Sequence, residues 1–176
     1  MTLGLKRGTV ELRPWSPAYP ALFEQERARV AGVLGPLASG IQHIGSTSIP
    51  GLVAKPVLDL AVAVPDQQAI VACAQPLATL GYVFMGDPVG KGEAFFARGS
   101  DEARTHYLHV LSADHPHWHA YLTFRDALRQ SADLRDDYAR LKQTLAQAHP
   151  EQRRVYTALK GEFIEQVLKG RVASPS

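Results

Sequence analysis

The residues best suited to chemistry gather first between His43 and Val64. Gly45-Ser46-Thr47-Ser48 is a run of small residues whose backbone amides can converge on one anion, with hydroxyls as further donors. A break at Pro50-Gly51 and a Lys55-Pro56 pair follow, and residues 57–64 are then apolar except for Asp59. A carboxylate inside an apolar run is costly to bury unless it is paired or holds a metal. An anion cradle and a metal-holding acid on one short segment point to a phosphate-bearing ligand, with a nucleotide as the simplest case. The plainer alternative is that Gly45 and Gly51 serve only their turns and Asp59 pairs with a neighbour.

Basic residues and histidines extend the set. Lys55, Arg98 and Arg104 stand at turns or strand ends, where ligand crevices open in α/β sheets and where guanidinium forks suit phosphate oxygens. Ordinary surface arginines are the competing reading. Five of the seven histidines lie between His106 and His119. In a strand, Arg104 and His106 share one face and Tyr107 and His109 the other. His115, His117 and His119 surround a proline turn and have the chemistry to chelate a transition metal, although their spacing matches no standard zinc pattern. Lys160 adjoins the apolar stripe Val155, Leu159 and Phe163, so its stem is expected to pack there, with the amine aimed inward or snorkelling to solvent.

Hydrophobic periodicity supplies the elements that must position these groups. Helical spacing covers 17–34, bounded by Pro17 and by Gly35-Pro36, and a second helix is expected over 67–80. Short strands are expected over 41–44, 57–64, 82–85, 94–98 and 105–111, with an edge strand at 10–14. The run 57–64 is apolar on both faces, as a sheet covered by helices on both sides requires. The glycine-rich loop 86–92 reads as a hairpin connection or a substrate loop, and its spacing is not that of a Walker A motif. After Pro116 the chain turns helical, with Trp118, Tyr121, Leu122 and Leu128 on one face. Two further helices follow, carrying Leu134, Tyr138, Leu141 and Leu145, then Val155, Leu159, Phe163 and Val167.

The stretch from His43 to Asp59 resembles the GrpB-like family, whose pattern reads H-I-G-S-T-S-hydrophobic-P-G-L-x-A-K-P-hydrophobic-hydrophobic-D. Residues 104–110, 124–126 and 156–160 resemble the same family in order, so the resemblance covers nearly the whole chain. It implies one nucleotidyltransferase-like α/β (α+β) domain over residues 1–176, with a mixed sheet flanked by helices and a C-terminal helical pair. It also implies a metal-dependent nucleotidyltransferase acting on an unknown acceptor with a nucleoside triphosphate. Gly45, Ser46, Thr47, Lys55, Arg98 and Arg104 would then hold phosphates. Asp59 and His109 would be catalytic, Asp59 and His106 metal ligands, and Mg²⁺ or Mn²⁺ the cofactor. Ala61 stands where that fold's second acid is expected, so Glu93, Asp126 or His109 must supply the missing group. Otherwise the domain binds a nucleotide or phosphorylated metabolite without transferring anything. A histidine-metal hydrolase built on His106, His109 and His115 to His119 is the third reading.

The 176 residues suffice for one substantial core, and a net charge of +2 provides no global attraction to nucleic acid. Any anion site must therefore be local, with a nucleotide or phosphorylated small molecule as partner. The single cysteine, Cys73, excludes an internal disulfide framework. No apolar run reaches membrane-spanning length and the start lacks a signal-peptide core, so a cytoplasmic location is expected.

Overall fold

The computed structural model describes residues 2–87 and 92–170. The first helix, α1 (Tyr19–Leu34), has proline in its first turn and stops at Gly35, whose φ of 51° is left-handed. Strand β1 (Gly40–Ile44) leads through a 3-10 turn (Ser46–Ser48) to β2 (Leu58–Val64). Helices α2 (Gln67–Ala72) and α3 (Ala74–Thr79) stand where sequence periodicity suggests one helix. The break at Cys73 follows from Pro76, which has no N–H to bond back to the Ala72 carbonyl. Strands β3 (Tyr82–Gly86), β4 (Ala94–Gly99) and β5 (Arg104–Ser112) come next. Helices α4 (Pro116–Gln130), α5 (Ala132–Ala148) and α6 (Arg153–Leu168) complete the chain.

The strands form one mixed sheet in the order β1-β2-β5-β4-β3, in which β2 and β5 are parallel and all other pairs antiparallel. The expected edge strand at 10–14 does not form. Arg13 makes an isolated bridge to Ala54, and Pro14 beside it has no amide to extend a ladder. Residues 88–91 of the glycine-rich loop lie outside the described residues. Among the described residues no helix is long and apolar enough to cross a membrane.

The two faces of the sheet carry different chemistry, and the register fixes which residue lies on which. Leu58, Leu60, Val62 and Val64 of β2 join Leu108 and Val110 of β5 and Phe96 of β4 in the main core beneath α1, α2 and α3. On the opposite face β2 presents Asp59, Ala61 and Ala63, paired with Tyr107, His109 and Leu111 of β5. The small Ala61 packs with Ile44 and Leu111 against Trp118, Tyr121 and Leu122 of α4. Ile49 and Leu52, from the loop after the 3-10 turn, are buried with Leu128 and Tyr138 of α4 and α5. The segment 45–52 is thus clamped between the sheet and the C-terminal helices.

Candidate functional site

Gly45 and Asp59 are in direct contact. Gly45 follows Ile44, which pairs with Asp59 across β1 and β2, and its φ of 67° with ψ of −176° suits glycine alone. A Cβ there would lie 2.4 Å from Asp59 Oδ2 and 2.8 Å from both Asp59 Cβ and Cγ. The turn and the acid therefore share one place on one side of the sheet. Asp59 is half-buried, and among the described residues its carboxylate has neither a hydrogen bond nor an ion pair.

Around that carboxylate the C-terminal helices bring lysines. Lys142 on α5 is 1% exposed, and its Nζ donates to Ser46 Oγ at 2.7 Å and to the Val53 carbonyl. Burial drives its pKa well below the usual lysine range, Lys160 and Lys55 push the same way, and Asp59 opposes them. Burial lowers the Lys55 amine to about 7, with Arg153 and Lys160 adding to the shift and Asp59 again opposing it. Lys55 and Lys160 lie over the Tyr156 ring at 5.8 and 5.2 Å. Arg153 donates to the Tyr107 hydroxyl at 2.6 Å, and Tyr107 stands opposite Asp59 in the sheet. The result is a cluster of basic side chains around one acid.

A second group adjoins it. His109 pairs with Ala61, two residues along β2 from Asp59, and its Nδ1 lies 2.5 Å from Glu93 Oε1. His117 Nδ1 approaches Glu93 Oε2 at 2.7 Å, and the Tyr121 hydroxyl donates to Oε1 at 2.8 Å. Burial alone would raise the Glu93 pKa, but these contacts, His109 foremost, outweigh it and hold the carboxyl near about 2. An ionised Glu93 can accept a hydrogen bond from His109 through Nδ1, which turns Nε2 of the ring away from the acid. Glu93, His115 and His117 also present donor atoms within 4.8 Å of one another, so this group can hold a metal ion.

Several residues selected from the sequence lie elsewhere. Arg98 and His106 project to the α1 face, opposite Asp59, because the register pairs them with each other and His106 with Leu58. Arg98 binds Glu26 at 2.5 Å, and His106 Nε2 lies 3.9 Å from the same buried carboxylate. The expected phosphate role of Arg98 and metal role of His106 are therefore corrected to parts of a structural network. Burial first, and then Arg98, lower the His106 pKa to about 4, so the ring is neutral there. Arg104 donates to the Gly99 carbonyl and to Asp101, which ties down the β4–β5 turn and withdraws it from the site. Asp126, the other candidate for a second acid, is gripped by Arg125 at 2.7 and 3.1 Å. The Thr47 hydroxyl contacts His43 Nε2 at 2.9 Å, leaving only its backbone amide for an anion. His119 is exposed on α4, and Glu93 takes its place in the metal-capable triad.

Lys142, Tyr138, Arg153 and the supporting role of Glu93 were not selected from the sequence. A signal existed for Lys142: it follows Tyr138 by four residues and precedes Leu145 by three, on the apolar face of α5.

A mixed sheet with a Gly-Ser turn after its first strand and an acid on the next, flanked by helices, defines an α/β fold of the nucleotidyltransferase kind. The chain belongs to the GrpB protein family, whose model matches residues 9–170. A UPF0157 protein of Pseudomonas aeruginosa is 36% identical over 174 residues, covering 94% of this chain and 69% of that protein. The crystal structure of the conserved protein GrpB from Enterococcus faecalis superposes with a TM-score of 0.81 at 30% identity, over 91% of this chain and 98% of that one. The MgGTP-bound Cid1 poly(U) polymerase gives a TM-score of 0.52 at 16% identity, over 76% of this chain and 44% of that one, a likeness of fold alone.

Proposed function

We propose that this protein binds a nucleoside triphosphate together with a divalent metal and transfers its nucleotidyl group to a hydroxyl acceptor. The Asp59 carboxylate carries the reading: it abuts Gly45 on a strand that is otherwise apolar, and it faces lysines without being hydrogen-bonded to any of them. Such a carboxylate fits a hard cation of the Mg²⁺ or Mn²⁺ kind. A metal held there would neutralise charge on the triphosphate. The amides of Ser46 and Thr47, which have no acceptor within their own 3-10 turn, take phosphate oxygens. Lys55, Lys142 and Lys160 stabilise the charge that develops on the leaving pyrophosphate. His109 accepts the acceptor's hydroxyl proton at Nε2 while Glu93 stabilises the imidazolium. The new oxygen–phosphorus bond forms at the α-phosphate as the bond to pyrophosphate breaks, and the electron pair leaves with pyrophosphate.

Ala61 favours a second reading, binding without transfer. It is fully buried under α4, so no second carboxylate projects from that position. One experiment separates the two: calorimetry with MnATP and MnUTP, followed by pyrophosphate release with cell-extract acceptors, on the wild type and Asp59→Asn. Transfer predicts metal-dependent binding and pyrophosphate, both lost in the variant. Binding without pyrophosphate selects the binding module, and the absence of binding refutes both.

A further inference from the structure

A cleft of about 520 Å³ runs beside the free edge of β1 and shares none of the residues assigned above to the cluster around Asp59. That volume suits a small molecule. Its floor is aromatic: the Phe23 and His43 rings stack at 4.6 Å with 8° between their planes, and Trp15 stands beside them. Its rim is cationic, with Arg125 and Arg129 one turn apart on α4 and Arg135 on α5.

The arginines have unequal duties. Arg125 is used up on Asp126, Gln42 and the His43 carbonyl, where it caps the exposed edge of β1. Arg129 donates through Nε and one terminal nitrogen to the Ser48 carbonyl, and its other terminal nitrogen lies 3.7 Å from Asp126. Arg135 has no ion-pair partner among the described residues. The acids at this rim are already engaged, Asp126 by Arg125 and Glu24 by Arg27 at 2.7 Å. The excess positive potential is felt by His43: burial, then Arg129 and Arg125, lower its pKa to about 3.

We propose that this cleft is a second ligand site, taking an anion that carries a planar ring, of the nucleoside monophosphate class. The ring lies against the aromatic floor and the phosphate meets Arg135 and the outer edge of Arg129. The Trp15 indole N–H is fixed to the Thr47 carbonyl at 2.9 Å, so an occupant of the cleft touches the outer side of the turn whose Ser46 faces Lys142.

The chain has two tryptophans, so the tryptophan-¹⁵N-labelled protein displays two indole signals, one at this cleft and one, from Trp118, under the other face of the sheet. Titration with AMP is expected to shift the Trp15 signal saturably and leave Trp118 in place. Arg135→Glu, a half-buried position on the rim, is expected to weaken that binding at least tenfold with an unchanged circular dichroism spectrum. Inorganic phosphate and adenosine are each expected to bind more weakly than AMP, and Asp59→Asn is expected to bind AMP as the wild type does, which separates this cleft from the site above. A static Trp15 signal, undiminished binding in Arg135→Glu, a shift at Trp118 alone, phosphate binding as tight as AMP, or loss of binding in Asp59→Asn would each overturn the proposal.

Discussion

Gly45→Ala tests the contact on which the proposed site depends. The glycine's φ of 67° and ψ of −176° put the backbone where side chains are rarely tolerated, at a cost of about 2 kcal/mol. The added methyl also meets Asp59 at 2.4 to 2.8 Å, and overpacking of this kind costs about 2 kcal/mol more. A rotation of the carboxyl relieves the contacts to Oδ2 and Cγ but not the one to Asp59 Cβ, which the β2 backbone fixes. A total of about 4 kcal/mol lowers Tm by roughly 8–16 °C in a domain of this size. Thermal denaturation followed by circular dichroism reads that shift. Adding Asp59→Ala removes the carboxyl and retains the Cβ clash, so the double variant should recover only about 1 kcal/mol relative to additivity. A Gly45→Ala protein melting within about 2 °C of wild type, or strictly additive variants, would show that the glycine and the acid do not meet, and the shared-site argument would fail.

Glu93→Gln should be destabilising at pH 7 by about 3 kcal/mol, from a folded pKa near about 2 against an ordinary 4.5. Because the folded value is depressed, that stabilisation is full above the unfolded pKa and is lost as pH falls from about 4.5 toward 2; urea denaturation should show the gap between wild type and variant closing below pH 4.5, and a constant gap would refute the assignment. Arg98→Ala strips a partner from the buried Glu26 and should cost about 3 kcal/mol while leaving the affinity for MnATP unchanged; weaker nucleotide binding in a folded variant would return Arg98 to the site.

Local features were legible where local chemistry decides them. Asp59 stood out because a single acid broke an apolar run, and Gly45-Ser46 because small residues followed a short strand. The alternation of side chains along β5 separated His106 from His109 before any register was known. What it left undetermined was which of the two faces held Asp59, because that depends on how β2 and β5 align. The alignment places Leu58 beside His106 and Asp59 beside Tyr107, and moving it by one residue would have reversed the assignment. Arg98 was misjudged for the same reason: a strand-end arginine reads alike on either face, and its partner Glu26 is 72 residues away on α1. The five clustered histidines suggested a histidine site, yet the group that organises His109 and His117 is an acid just ahead of β4, Glu93.

In the proposed reaction, the lysines would let one carboxylate suffice where two acids are expected. A second acid at position 61 would project beneath Trp118, Tyr121 and Leu122, an apolar setting in which burying a charge is costly. Its absence leaves the site with more basic groups than acids, and burial first, then the neighbouring basic groups, depress the pKa values of Lys142 and Lys55. Ser46 and the Val53 carbonyl hold the Lys142 amine by hydrogen bonds but bring no negative charge, and among the described residues Lys142 has no ion pair. A polyphosphate would bring that charge, converting mutual repulsion among three lysines into attraction to a common anion. Positive charge that is costly in the free protein and favourable in the complex is the electrostatic signature of a site organised around its ligand.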